Sequence, residues 1–284
     1  MAGPSSPILV VSPHLDDAVL SLGGSIAAWV AAGTRVVIAS VYTTAPALAG
    51  IAPSMRKVAD YRARCAEDDA ACATVGAEVR RLGQIERAFR PPYLTGWSFF
   101  TTPAERSGFT TLPEVNRALL PLAELEPAQI FVPLGVGNHI DHVETLIAAT
   151  DWAIAQGWGE RLRFYEDFYA VSGAMRARHF VARTRRWRHH QSPLLRARRL
   201  AVILKTIGAA ARGPSVETFL DPALRDATWS VEVTPLHEHE HTQLTAIECY
   251  ASQTRAFGGL AGIDRALRTY HAWWGGEPVW RATT

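Results

Sequence analysis

Two short clusters in this 284-residue chain combine imidazoles and carboxylates at spacings suited to a metal-assisted reaction. The first, "SPHLDDAVLSLGG", sets His14, Asp16 and Asp17 between an apolar run and a stretch of small residues. The second, "GNHIDHVE", sets His139, Asp141 and His142 just past another apolar run. Imidazole nitrogen and carboxylate oxygen suit a borderline divalent ion, and a catalytic zinc commonly takes three protein ligands plus an exchangeable water. Two His and one Asp fill that role, and iron(II) suits the same donors. Each cluster also has a plainer reading. Asp16 or Asp17 could cap the helix that follows, and a lone His139 or His142 could be a surface residue at a helix start. Two clusters in matching contexts, together holding every ligand type, favour the metal site.

The matching context comes from the elements that carry them. "PILVVS" (7–12) is a short continuous apolar run, the signature of a strand covered on both faces. A helix follows over about 17–32, closed by Gly33, and "RVVIASVYT" (35–43) is a second buried strand. This is a βαβ unit, which crosses over right-handedly into a parallel sheet. "AQIFVPL" (128–134) repeats the buried-strand pattern and leads into a helix closed by Gly157. The carboxyl ends of parallel strands share one edge of the sheet, so the six residues can converge there.

The rest of the chain reads less regularly. A Pro/Ala/Gly-rich loop (43–55) precedes a polar helix over about 55–75 and a short strand near 79–82. Residues 84–107 are irregular and aromatic, with Phe89, Tyr93, Trp97, Phe99 and Phe100 suited to walling a pocket or to sealing the core. "RLRFYEDFYA" (161–170) reads as a strand. An Arg-rich, helical stretch, a break at Gly213 and Pro214, a late strand in "WSVEVTP" and a final helix over about 236–257 complete the pattern. The expectation is a single α/β domain over 1–284: a Rossmann-like, mainly parallel sheet flanked by helices. Its core spans about 7–170 and a decorated carboxyl-terminal third about 171–284.

Composition narrows the class. An apolar fraction of 48% and a charged fraction of 20% are those of a folded globular protein. A net charge of +2 argues against nucleic acid as a partner. Three cysteines without a CxxC pair point to reduced, mostly buried thiols. No uncharged apolar stretch reaches the ~20 residues of a membrane span, and no secretory leader is evident. These features together predict a cytoplasmic protein, with self-association left open.

"PHLDD" followed by "HIDH" resembles the paired motifs of the PIG-L/LmbE-like zinc-dependent de-N-acetylases, usually HPDD(E) and HxDH. "GGSIAAWVAAGTRVVIASVYT", "RARCAEDDAACATVGA", "FYEDF" and "AIECYASQ" extend the similarity from Ile8 to Tyr169 and, in patches, to Gln253. The resemblance implies that His14, Asp17 and His142 hold zinc and that Asp16 is the general base. It implies a protonated His139 that stabilises the oxyanion or helps the amine leave, and Asp141 as a partner orienting the histidines. Leu15 and Ala18 stand where the family often has Pro and Glu, which places any difference in how substrate or a neighbouring loop is held. The stretch 176–214 has no counterpart in the resemblance.

Arg64 lies where the family often places a sugar or phosphate contact; its plainer use is an exposed helical pair with Glu67. Glu86 is a weaker candidate acidic contact. "HEHEH" (237–241) lacks a third ligand and reads as a solvated helix start. The arginines of 176–199 suit an acidic ligand or membrane surface, or else a solvated helical face. The expected activity is hydrolysis of an N-acetyl or other N-acyl amide on an amino sugar or glycoconjugate. Amidase action on a thiol conjugate and a silent metal- or sugar-binding module are the alternatives. A nucleotide-sugar transferase is disfavoured, because His and Asp stand where a glycine-rich phosphate loop would be.

Overall fold

Strands β1 (Ile8–Ser12) and β4 (Gln129–Pro133) lie side by side, and the order of strands reverses between them. The computed structural model describes residues 6–47, 51, 56, 59–93 and 98–283; the expected helix start at Met55 and the aromatic Trp97 lie outside them. The sheet has seven strands in the order β3-β2-β1-β4-β5-β7-β6. The others are β2 (Val36–Thr44), β3 (Glu78–Ile85), β5 (Leu162–Tyr165), β6 (Thr228–Thr234) and β7 (Glu277–Thr283). The chain builds outward from β1 through β2 to β3, then crosses to β4 on the other side of β1. Neighbours from β3 to β5 are parallel, with Ile8 paired to Val36 on one side and Gln129 on the other. β7 runs antiparallel to both β5 and β6.

The helices are α1 (Asp17–Ala31), α2 (Tyr61–Val75), α3 (Leu112–Leu119), α4 (Ile140–Ala155), α5 (Gly173–Arg176), α6 (Arg198–Ala210), α7 (Pro222–Arg225), α8 (His239–Glu248), α9 (Ala251–Ala256) and α10 (Leu260–Trp274). All five residues of β1 are buried, which is why its sequence is continuously apolar. Leu9, Val10 and Val11 are wholly excluded from solvent, and burying each such side chain stabilises by about 1.5–3 kcal/mol. α1 carries Gly23 and Gly24 because a Cβ on either would lie within 2.8 Å of Gln243 or Leu236, the side chains packed against it. No helix among the described residues is long and apolar enough to cross a membrane.

The last third belongs to the same sheet. Beyond the expected late strand the chain adds α10 and β7, and β7 enters between β5 and β6. The Glu277 carboxylate of β7 accepts the backbone N–H groups of Gly24 (3.1 Å) and Ser25 (2.7 Å), tying the carboxyl terminus to α1. The expected final helix over 236–257 is two helices, α8 and α9. The strand expected over 161–170 stops at Tyr165, so Glu166 and Asp167 leave the sheet at its carboxyl edge.

The Arg-rich stretch is helical only in α5 and α6, with turns between. Arg176 is buried rather than solvated, and its guanidinium grips Glu166 with two bonds of 2.9 and 2.8 Å. Glu166 also accepts from the Tyr270 hydroxyl (2.8 Å) and the Trp280 indole (2.9 Å), so the charge is fully answered. In "HEHEH", Glu240 bonds His271 at 2.9 Å and Arg268 at 3.0 Å. His237 and His241 are exposed, as expected for a solvated helix start. Of the cysteines, only Cys72 is buried; Cys65 and Cys249 are half-buried.

Candidate metal centre

The six residues meet at the carboxyl ends of β1 and β4, where the strand order reverses and open α/β sheets form their crevice. All six are at least nine-tenths buried. Asp16 and Asp17 are adjacent in sequence but differently employed. Asp17 opens α1 and turns its carboxylate back, so that Oδ2 lies 2.9 Å from the His14 backbone nitrogen, 2.9 Å from His14 Nδ1 and 3.2 Å from His142 Nε2. Asp16 occupies the N-cap position, yet among the described residues its side chain makes no capping bond. Ser12 Oγ takes that duty, accepting the Ala18 N–H at 3.0 Å. Asp16 is therefore a buried carboxylate without the structural use that capping would give it.

Among the described residues two triads could hold an ion, His14–Asp17–His142 and His14–His139–Asp141, each with ligand atoms within 4.8 Å of one another. The donor partners separate them. Both Asp141 oxygens are already engaged, Oδ1 by Arg90 (2.8 Å) and Oδ2 by the Arg87 N–H (2.9 Å) and His14 Nε2 (3.2 Å). His142 Nε2, by contrast, is buried without a well-formed hydrogen bond among the described residues, although it sits beside Asp17. A buried imidazole nitrogen 3.2 Å from a carboxylate oxygen, outside good hydrogen-bond geometry, fits a shared cation, and the N,N,O donor set fits zinc.

The surrounding residues orient these donors. Asp167, at the end of β5, places Oδ1 2.5 Å from His142 Nδ1 and accepts the Val136 N–H at 2.8 Å with Oδ2. A carboxylate behind a ligand histidine fixes its ring and raises its basicity. Asp141 stands behind His14 in the same way. Arg90 also pairs with Glu144 (3.5 Å), which accepts from the Tyr42 hydroxyl (2.7 Å) and from Thr111. Asp167, Arg90, Glu144 and Tyr42 were not among the residues singled out by sequence, though "FYEDF" contains Asp167 and its place at a strand end was the available signal.

Protonation follows from these contacts. Burial alone would lower both His14 and His142, but Asp141 and Asp17 raise His14 well above its ordinary value. Against the same burial, Asp17 and Asp167 raise His142 to about 9. Asp17 is held well below the usual carboxylate range, its burial outweighed by His142 and His14. Burial, then the neighbouring Asp17 charge, lifts Asp16 to about 6, the range suited to moving protons near neutrality.

Burial, then the charges of His142 and His14, push the pKa of His139 well down, a direction opposed to the protonated ring that the resemblance implies. As the N-cap of α4 it accepts the Asp141 N–H at Nδ1 (3.3 Å), which leaves its proton on Nε2. Its ring lies 4.9 Å from Phe100 and 5.3 Å from Phe99 between centroids, so part of the aromatic loop does wall the site.

Arg64 is buried rather than exposed, with Nη1 donating to Glu86 at 2.9 Å and its guanidinium 4.5 Å from the Tyr61 ring. Glu67 instead receives the Ser252 N–H (3.0 Å) and hydroxyl (2.6 Å). Leu15 packs with Ala59, Tyr61 and Phe89 in a small cluster beside the main core. Ala18 is fully buried in the main core, so its difference from the family pattern serves packing.

The family described as PIG-L, GlcNAc-PI de-N-acetylase, matches residues 9–153, just over half of the chain. No curated protein matches in sequence. Among solved structures, a deacetylase of the teicoplanin biosynthesis pathway has a TM-score of 0.66 at 20% identity, covering 98% of each chain. The A40926 pseudoaglycone deacetylase has a TM-score of 0.63 at 20% identity, covering 98% of this chain and 96% of its own. N,N'-diacetylchitobiose deacetylase from Pyrococcus horikoshii has a TM-score of 0.52 at 13% identity, covering 98% and 84%. At these identities the likeness is one of fold.

Proposed function

The chain belongs to the PIG-L family, and from that premise we propose that it is a zinc-dependent hydrolase removing an N-acetyl group from an amino sugar or glycoconjugate. The observation that carries the reading is the division between the two aspartates. Asp17 is enclosed by two imidazoles, while Asp16 is buried beside it with no capping role. His14, Asp17 and His142 would hold the metal, which when bound polarises an amide carbonyl and acidifies water.

The chain's own groups supply the rest. Asp16 takes a proton from the attacking water and delivers it to the departing amine nitrogen, and a carboxyl near 6 can do both. His139 donates its Nε2–H to the carbonyl oxygen as charge develops there. The amine's proton is assigned to Asp16, which gains one from the attacking water. Asp141 and Asp167 keep His14 and His142 aligned. Arg64 stabilises the ionised Asp16 by its charge and holds Glu86 near the substrate side, where the family pattern places a sugar contact.

The reaction consumes water and the amide, and yields acetate and a free amine. The test is release of amine from a panel of N-acetylated amino sugars by zinc-loaded protein, abolished by a chelator and restored by zinc. Metal-loaded protein that binds such a sugar tightly and never releases amine would favour the binding module instead.

A further inference from the structure

The segment after Arg176 lies beyond the family match and takes no part in the chemistry above, yet it folds against the loop that carries His139. A cavity of about 270 Å³ lies there, lined by Asn138, Arg178, Arg212 and Ser215 among others. Asn138 immediately precedes His139, and its Nδ2 donates to the Pro214 carbonyl at 3.4 Å. The Arg212 N–H donates to the Phe100 carbonyl at 3.3 Å, and the Phe100 ring packs 4.9 Å from His139. The cavity and the metal centre therefore share a wall.

Two arginines line this cavity, and both are exposed. Arg178 is anchored through Nη1 to the Gly208 carbonyl at 2.7 Å, and Arg212 through Nη1 to those of Ala209 (2.7 Å) and Ala211 (3.0 Å). Each guanidinium has five N–H donors, so these anchors fix the heads and leave further donors to spare. Among the described residues no Asp or Glu lines the cavity. A second cavity of about 410 Å³ continues past Arg178, lined by Lys205, Leu194 and Ala201 among others, again without a carboxylate. Arginines lining one cavity that no carboxylate lines present charged N–H donors that an anion can accept in pairs.

We propose that this cavity is a specificity subsite for an anionic group, a carboxylate or phosphate ester, on the part of the substrate that bears the amino sugar. Arg178 and Arg212 grip the anion, and the second cavity receives the apolar portion next to it. The substrate assignment rests on the deacetylase reading; the anion site itself does not.

Two N-acetylglucosaminides that differ only in one carboxylate, the phenyl and the 4-carboxyphenyl glycosides, test it on zinc-loaded protein. The expected result is a kcat/KM about tenfold higher for the carboxylate, carried by KM and shrinking as salt is raised. The double variant Arg178→Gln/Arg212→Gln should lose most of that ratio. Equal kcat/KM for the two glycosides at low salt would overturn the subsite. If neither glycoside releases amine, the deacetylase reading fails, and titration of phenyl phosphate into the zinc-free protein decides the subsite alone. Binding about tenfold weaker in the double variant supports it, and binding that is absent or indifferent to the two substitutions overturns it.

Discussion

Asp167 holds His142 through one carboxylate oxygen at 2.5 Å while its other oxygen accepts the Val136 N–H at 2.8 Å, so the segment leaving β5 fixes both the His142 ring and the loop leaving β4. Asp167→Asn keeps the shape and removes the charge that favours His142. Zinc affinity should fall about 10- to 100-fold, with deacetylation restored by excess zinc. A competition titration against a chromophoric chelator reads this directly, and an unchanged affinity would remove Asp167 from the metal's support.

Metal uptake should expel protons. Without metal, His14 is held well above its ordinary pKa and His142 near 9, so both carry a proton at pH 7, whereas a ligating imidazole must be neutral. About two protons per zinc should be released at pH 7, and affinity should climb from pH 6 to 8. Phenol red in weakly buffered protein counts the protons. Zinc uptake with no acidification would show that the histidines are already neutral.

His179 gives a stability prediction outside the metal centre. Its Nε2 lies 2.9 Å from the Leu134 carbonyl, and its Nδ1 accepts the N–H groups of Val181 (3.2 Å) and Ala182 (3.1 Å). With donors facing Nδ1, a second proton has no place, and burial holds the pKa at about 4. Between pH 6.5 and 4 the unfolded chain binds a proton that the folded one does not. Stability is therefore fully present above about 6.5 and is lost as pH falls toward 4, by about 3 kcal/mol in all. Urea unfolding of the protein and of His179→Gln should show the wild type's lead over the variant shrinking by that order as pH drops. A lead independent of pH would contradict the assignment.

What could be read from the chain tracks how local the determining contacts are. His14, Asp16 and Asp17 follow one buried strand, and His139, Asp141 and His142 another, so apolar runs and their ends sufficed to bring them to one edge of the sheet. Asp167 and Arg90 reach the site from separate segments and complete it only through side chains that meet across the fold. Arg176 sits in a run of arginines that reads as solvated, and its burial is explained by Glu166 and by the Trp187, Trp273 and Trp274 rings around its guanidinium. β7 was missed because Pro278 argues against an inner strand. β5 pairs only with Val279 and Trp280, so the proline falls beyond that contact. The lowered pKa of His139 comes from burial and from the His142 and His14 rings beside it, which no spacing in the sequence reveals.

The central claim, that adjacent aspartates divide metal binding from proton transfer, is tested by measuring zinc content and amine release together in Asp16→Asn and Asp17→Asn. Asp16→Asn should retain about one zinc per chain while kcat/KM falls by about 10²- to 10⁴-fold, and Asp17→Asn should lose the metal itself. Loss of zinc from Asp16→Asn with its retention in Asp17→Asn would contradict the account.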